Sequence, residues 1–141
     1  MAGIRGKNTA PEMIIRRGLH RLGFRFRIHD RRLPGQPDLV LPRWRAAVFV
    51  HGCFWHGHDC ALFRWPRSRE AFWREKITRN RERDAAAFER LRCDNWRVLT
   101  IWECALKGPA RIGAEETITH SAAWLRSGGD SGEVRGPHGN S

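Results

Sequence analysis

An apolar run, Ala46-Ala47-Val48-Phe49-Val50, leads directly into His51-Gly52-Cys53-Phe54-Trp55-His56-Gly57-His58-Asp59-Cys60, and no other stretch constrains the fold so tightly. The run reads as a strand, and the block after it as a loop rich in metal-ligand types. Cys53-x4-His58-x-Cys60 supplies three ligands, and Cys104, just past the strand Trp96–Trp102, can complete a tetrahedron. Cys3His is a closed structural zinc set, which requires the two strand ends to be neighbours. Zinc there would have no open position for substrate. Its task would be to stiffen the loop, so that His51, His56, Phe54 and Trp55 point in fixed directions. The plainer reading makes Cys53 and Cys104 small buried hydrophobes and His58 a surface residue. Cys93 stands apart as a free thiol.

The 141 residues suit one domain with a single core. Charge is lopsided: 26 Lys and Arg against 15 Asp and Glu, net +11. Such a surface favours a polyanion, most simply nucleic acid. Arg far outnumbers Lys, which suits bidentate phosphate contacts and equally follows from a GC-rich genome. Rings are plentiful, with seven Trp and seven Phe, and those in basic surroundings are candidates for stacking on bases. No run of eighteen apolar residues suggests a membrane span, and Met1 to Asn8 lacks the apolar stretch of a secretory signal, so a cytoplasmic protein is expected.

Thr9-Ala10-Pro11-Glu12 has the pattern of a capping box, and Ile15, Leu19 and Leu22 follow at helical spacing before Gly23. This predicts a helix from Ala10 to Leu22. Phe24, Phe26 and Ile28 alternate with Arg25, Arg27 and His29 as in a half-buried strand. Strands at Asp38–Leu41, Trp44–Val50 and Trp96–Trp102 come next. A long helix capped by Ser68 should reach Arg92, with Phe72 or Trp73, Ile77, Asp84 or Ala85, Phe88 and Leu91 on its apolar face. A last helix is expected over Ala114–Leu125. From residue 127 to 141, Gly, Ser and Asp predict a disordered C-terminal tail. The order α-β-β-β-α-β-α describes an α/β or α+β layer around a mixed sheet.

Asp38, after Gly35-Gln36-Pro37, opens one strand, and His51 ends its hairpin partner. Two such strand ends can converge on Mg2+ and a scissile phosphate, with Asp38 as the carboxylate ligand. Phe49-Val50-His51 stands where such nucleases carry Glu-x-Lys, and an imidazole there can orient or deprotonate water near neutral pH. Pro-Asp is also common in ordinary turns. Glu12 has two readings: a capping-box residue, or a carboxylate that orients His56.

Taken together, Thr9-x-Pro11-Glu12, Leu33-Pro34-Gly35-x-Pro37-Asp38, the block His51–Cys60, Phe72-Trp73-x-x-Lys76-Ile77 and Trp102-Glu103-Cys104 closely resemble the very-short-patch repair (Vsr) DNA mismatch endonucleases, over residues 1–126. The resemblance implies an α/β, restriction-endonuclease-like fold of the PD-(D/E)XK type: a mixed central β-sheet flanked by helices, with a structural zinc site. It implies a Mg2+-dependent endonuclease that nicks one strand of duplex DNA 5′ to the thymine of a T:G mismatch. Carried over by motif, Asp38 would hold Mg2+ with the backbone carbonyl of Val50. His56 would be the general base, Glu12 would orient it, and His51 would lie next to the metal and phosphate. Cys53, His58, Cys60 and Cys104 would bind zinc. Phe54, Trp55 and Trp73 would wedge into the base stack, exploiting the lower cost of unstacking a mismatch.

Two departures accompany the resemblance. Val50 replaces a Thr found in family members, and a carbonyl ligand would survive that change. Met1 falls near an apolar wedge carried by the family's N-terminal arm, with no residues before it to form the arm, which bears on mismatch selectivity rather than on cleavage. The implied partner is double-stranded, mismatched DNA, gripped by a monomer in the bacterial cytoplasm at the nucleoid. Mismatch-repair proteins or a cytosine-5 methyltransferase would act in the same pathway. Two rivals remain: a related strand nickase in restriction or phage defence, and a non-catalytic zinc module that binds DNA.

Overall fold

The computed structural model describes residues 9–137. Helix α1 (Ala10–Arg21) is followed by strands β1 (Arg27–Ile28), β2 (Leu39–Leu41) and β3 (Ala46–His51). Helix α2 (Glu70–Cys93), strand β4 (Arg97–Trp102), helix α3 (Ala114–Ser127) and strand β5 (Ser131–Val134) complete it. The five strands lie in sequence order in one mixed sheet. The β1–β2 and β2–β3 pairs are antiparallel, and β3–β4 and β4–β5 are parallel.

α1 begins as its sequence dictates. The Thr9 hydroxyl accepts the Glu12 amide, Pro11 occupies the first turn, and Ile15 and Leu19 are fully buried. Its end is a Schellman closure: the Phe24 amide donates to the Leu19 carbonyl and the Gly23 amide to that of His20. Gly23 supplies the left-handed φ of 99° that this closure needs. Gly18 lets α1 approach α3, because a β-carbon there would meet the Ile118 side chain at 2.0 Å.

Alternation along β3 and β4 divides the core in two. Ala46, Val48, Leu99 and Ile101 pack against α1 and α3 through Ile15, Leu19, Ala122 and Leu125. Ala47, Phe49 and Val98 face α2 through Leu91 and Phe88. His51 continues the α2-facing row of β3, and Trp102 stands opposite it on β4. The loop chemistry therefore sits at the carboxyl ends of two parallel strands, beneath α2.

Four differences from the sequence reading have physical causes. α2 starts at Glu70 rather than at a Ser68 cap, since the chain enters it through left-handed Arg69 (φ 58°). The half-buried strand expected over Phe24–His29 shortens to Arg27–Ile28, both exposed, and ends at left-handed His29 (φ 51°). Of the alternatives Phe72 and Trp73 for the α2 face, Trp73 is the half-buried one and Phe72 lies exposed beneath the Arg69 guanidinium. The last concerns the tail. Ser131–Val134, expected to be disordered, adds a fifth strand to the open edge of β4 and buries Val134. Arg97 fastens this corner, donating to the carbonyls of Trp44, Trp124, Leu125 and Gly129. Edge hydrogen bonds and one buried valine outweigh the polar composition.

Candidate active site

Four ligand atoms from Cys53, His58, Cys60 and Cys104 lie within 4.8 Å of one another. Cys53 Sγ and Cys104 Sγ are 3.5 and 3.6 Å from His58 Nδ1. These separations match the edge, about 3.6 Å, of a tetrahedron with Zn–S near ~2.3 Å and Zn–N near ~2.05 Å. The donor set thus fits a tetrahedral thiophilic ion. A hydrogen bond from Cys53 holds Cys104 down to about 4, while the same contact and burial push Cys53 up, and burial raises Cys60. A cation at the centre would let all three ionise. His58 stacks on Trp102 with centroids 3.7 Å apart, fixing its ring plane. The C-terminal segment closes the other side, where the Gly136 amide donates to Cys104 Sγ at 3.4 Å and Arg135 pairs with Asp59 at 2.7 Å.

Next to this centre, Asp38, Val50, His51, His56, Phe54 and Trp55 line one cleft of about 480 Å³, with Thr9, Glu103 and Lys107 at its wall. Asp38 precedes β2 and its Oδ2 accepts the Val50 amide at 2.7 Å. This bond ties Asp38 to Val50 through the Val50 amide and leaves the Val50 carbonyl, the expected Mg2+ ligand, out of the contact. Burial pushes the Asp38 carboxyl up to about 7, the nearby Glu12 charge adds to this, and the Val50 amide opposes it. Such a carboxylate fits a divalent cation, whose charge would offset both effects.

His51 and His56 stack face to face, 3.7 Å apart and 5° from parallel. The partner of His56 is not Glu12. His56 Nδ1 meets Asp84 Oδ2 at 2.5 Å, and the Glu12 carboxylate instead meets His29 Nε2 at 2.6 Å. The reason is positional. Glu12 projects from α1, whereas Asp84 projects from the middle of α2, directly over the loop that carries His56. With Nδ1–H donated to Asp84, Nε2 is the basic nitrogen, which is the arrangement a general base requires.

Phe54, Trp55 and Trp73 form one ring cluster. Their centroids are 5.4 Å (Phe54–Trp55), 5.4 Å (Phe54–Trp73) and 5.9 Å (Trp55–Trp73) apart. Asn80 donates to the Trp55 carbonyl at 2.9 Å, tying the loop to α2. Met1, the remaining wedge candidate, lies outside the described residues.

Sequence reasoning missed three contributors: Asp84, His29 and Trp102. Asp84 did leave a signal. Ile77, Asp84 and Leu91 recur every seven residues, so a carboxylate interrupts the buried stripe of α2, and a polar group on such a stripe implies a partner. His29 read as the polar half of a strand alternation. Trp102 was noted only as part of Trp102-Glu103-Cys104, and nothing in the sequence pointed to its stacking on His58.

A family profile described as DNA mismatch endonuclease Vsr matches residues 1–62. The chain is 41% identical over 134 residues to the DNA mismatch endonuclease Vsr of Escherichia coli, covering 95% of this chain and 86% of that protein. It is 48% identical over 106 residues to the type II nicking enzyme V.XorIIP of Xanthomonas oryzae, covering 75% of this chain and 78% of the relative. A third relative, the type II nicking enzyme V.NmeAIP of Neisseria meningitidis, is 44% identical over 110 residues, with 78% and 79% covered.

The chain belongs to the Vsr DNA mismatch endonuclease family. In this Vsr-family chain the profile match spans Glu12, Asp38, His51, His56, Cys53, His58 and Cys60. Asp84, Trp102 and Cys104 lie beyond it, and the geometry described above brings them to the same site.

Proposed function

We propose that this chain nicks one strand of duplex DNA at a T:G mismatch, in a reaction that depends on a divalent cation. The observation that carries the reading is a shared cleft: Asp38, His51 and His56 line one hollow with Phe54 and Trp55 at its edge. Asp38 would hold Mg2+, which when bound polarises the phosphate and supplies positive charge to the transition state. His56, held by Asp84, would take the proton from the attacking water through Nε2. His51, stacked on His56, keeps that ring in plane and would lie beside the metal and the scissile phosphate. Cys53, His58, Cys60 and Cys104 would hold zinc as a brace, leaving no valence for substrate.

Phe54, Trp55 and Trp73 would enter the stack where the mismatch has weakened it. The basic surface would hold phosphates without reading sequence. The fold would be the restriction-endonuclease type, and the enzyme a monomer acting at the bacterial nucleoid. Among the described residues, no helix is long and apolar enough to cross a membrane.

A second reading draws on relatives that carry the name type II nicking enzyme: a strand nickase serving a restriction system, with a different target. A non-catalytic DNA-binding zinc module fits worse, because it gives Asp38, His51, His56 and Asp84 nothing to do. Nicking of end-labelled T:G and matched duplexes with Mg2+ separates the three. Selective nicking of the T:G duplex supports mismatch repair. Equal nicking of both favours the restriction reading, and no nicking of either leaves the binding module.

A further inference from the structure

A third cluster lies on the α1 side of the cleft. Glu12 from α1, His29 from just after β1 and Asp38 from just before β2 bring their ligand atoms within 4.8 Å of one another. His29 is held there by its backbone as well as its ring. Its amide donates to the Asp38 carbonyl at 3.1 Å, extending the β1–β2 pairing by one residue. It adopts a left-handed φ of 51°, which His tolerates better than most side chains. Its Nε2 then lies 2.6 Å from Glu12 Oε2, and Glu12 is 1% exposed.

Resting on the nuclease reading above, we infer that His29 is a nitrogen ligand of the divalent cation at Asp38, with Glu12 as the second carboxylate. Three separate elements deliver these three donors to one point. One carboxylate from α1 and one from just before β2 are brought together where little water reaches Glu12, an arrangement that one divalent cation offsets. Cis donors on an octahedral ion with bonds near ~2.1 Å sit about 3 Å apart, so Glu12 and His29 need to part by only a few tenths of an ångström.

An imidazole in the set changes which ion is favoured. Oxygen-only sites suit Mg2+, whereas a nitrogen donor favours Mn2+ and the later first-row ions. His29 would therefore make this site bind Mn2+ more tightly than Asp38 and Glu12 alone could.

The test is electron spin-echo modulation on Mn2+ added to the zinc-loaded, full-length protein. Wild type, His29→Asn and Asp38→Asn are compared, and each is checked for an unchanged circular-dichroism spectrum and cooperative thermal unfolding. Asn suits the left-handed backbone at this position. The expected result is a 14N modulation from a directly bound imidazole in wild type, absent in His29→Asn, with Mn2+ affinity about tenfold weaker in that variant. Asp38→Asn should lose the bound signal. The inference is overturned by a wild-type spectrum without nitrogen modulation, by no bound Mn2+ in wild type, or by modulation that persists in His29→Asn and so comes from another ring. Nicking of T:G duplex, measured alongside, keeps the two readings separate. Nicking without nitrogen modulation removes only the His29 ligand, and modulation without nicking removes only the nuclease.

Discussion

His56 donates from Nδ1 to Asp84 across the gap between the loop after β3 and the middle of α2, at 2.5 Å. This single contact joins an imidazole in the cleft to a carboxylate 28 residues further along the chain. Replacing Asp84 with Asn reverses the hydrogen-bonding preference at Nδ1 and favours the wrong tautomer. The turnover rate should fall by about 10²–10⁴-fold, as expected when a positioned base loses its orientation. DNA affinity should change little. Single-turnover nicking beside a binding titration checks this, and an Asp84→Asn enzyme at wild-type speed would mean His56 is not the base.

The Cys53–His58–Cys60–Cys104 cluster makes a second prediction. Cys104→Ser should lower zinc content below one ion per chain and destabilise the fold by several kcal/mol, because Cys53 and Trp102 are buried around it. Metal analysis with thermal unfolding measures both. Cys93→Ser, at an exposed position outside the cluster, should leave both unchanged.

Asp38 gives a pH signature. Its carboxyl is raised to about 7 in the folded protein, above its ordinary value near 4. A raised pKa means the folded state holds the proton more tightly, so its contribution to stability is present below pH ~4 and is lost as pH rises towards 7. In magnesium-free buffer, Asp38→Asn should therefore be more stable than wild type, by a margin that grows between pH 5 and pH 8. Added Mg2+ should stabilise wild type more at pH 8 than at pH 6. A margin independent of pH would show that Asp38 is not desolvated as described.

The ring cluster predicts a selective loss in binding. Trp73→Ala leaves the catalytic cleft intact but removes a ring that packs on both Phe54 and Trp55. Affinity for a T:G duplex should drop by about 1–3 kcal/mol, the usual worth of one base-stacking ring. Affinity for matched duplex should drop much less. Equal losses on the two duplexes would make the rings general packing rather than a mismatch probe.

Much of this arrangement was legible in the chain because local chemistry was decisive. The Thr9 cap, the Gly23 stop and the ligand spacing from Cys53 to Cys60 each act through near neighbours, and the structure repeats them. Placing Cys104 beside them needed only that two strands be adjacent, as β3 and β4 are. What the sequence hid depended on distance. Which carboxylate reaches His56 is decided by how α2 lies across the sheet; the resemblance assigned that role to Glu12, and Asp84 was read only as a position on the helix face. β5 was hidden for a similar reason, since Ser131-Gly132-Glu133-Val134 has little strand character until the edge of β4 is offered to it.

Asp38→Ala, assayed for single-turnover nicking and for duplex affinity on the same T:G substrate, tests the central claim most directly. The account predicts that nicking with Mg2+ disappears into background while affinity stays within about threefold of wild type. Nicking that continues at an appreciable rate in this variant would contradict it.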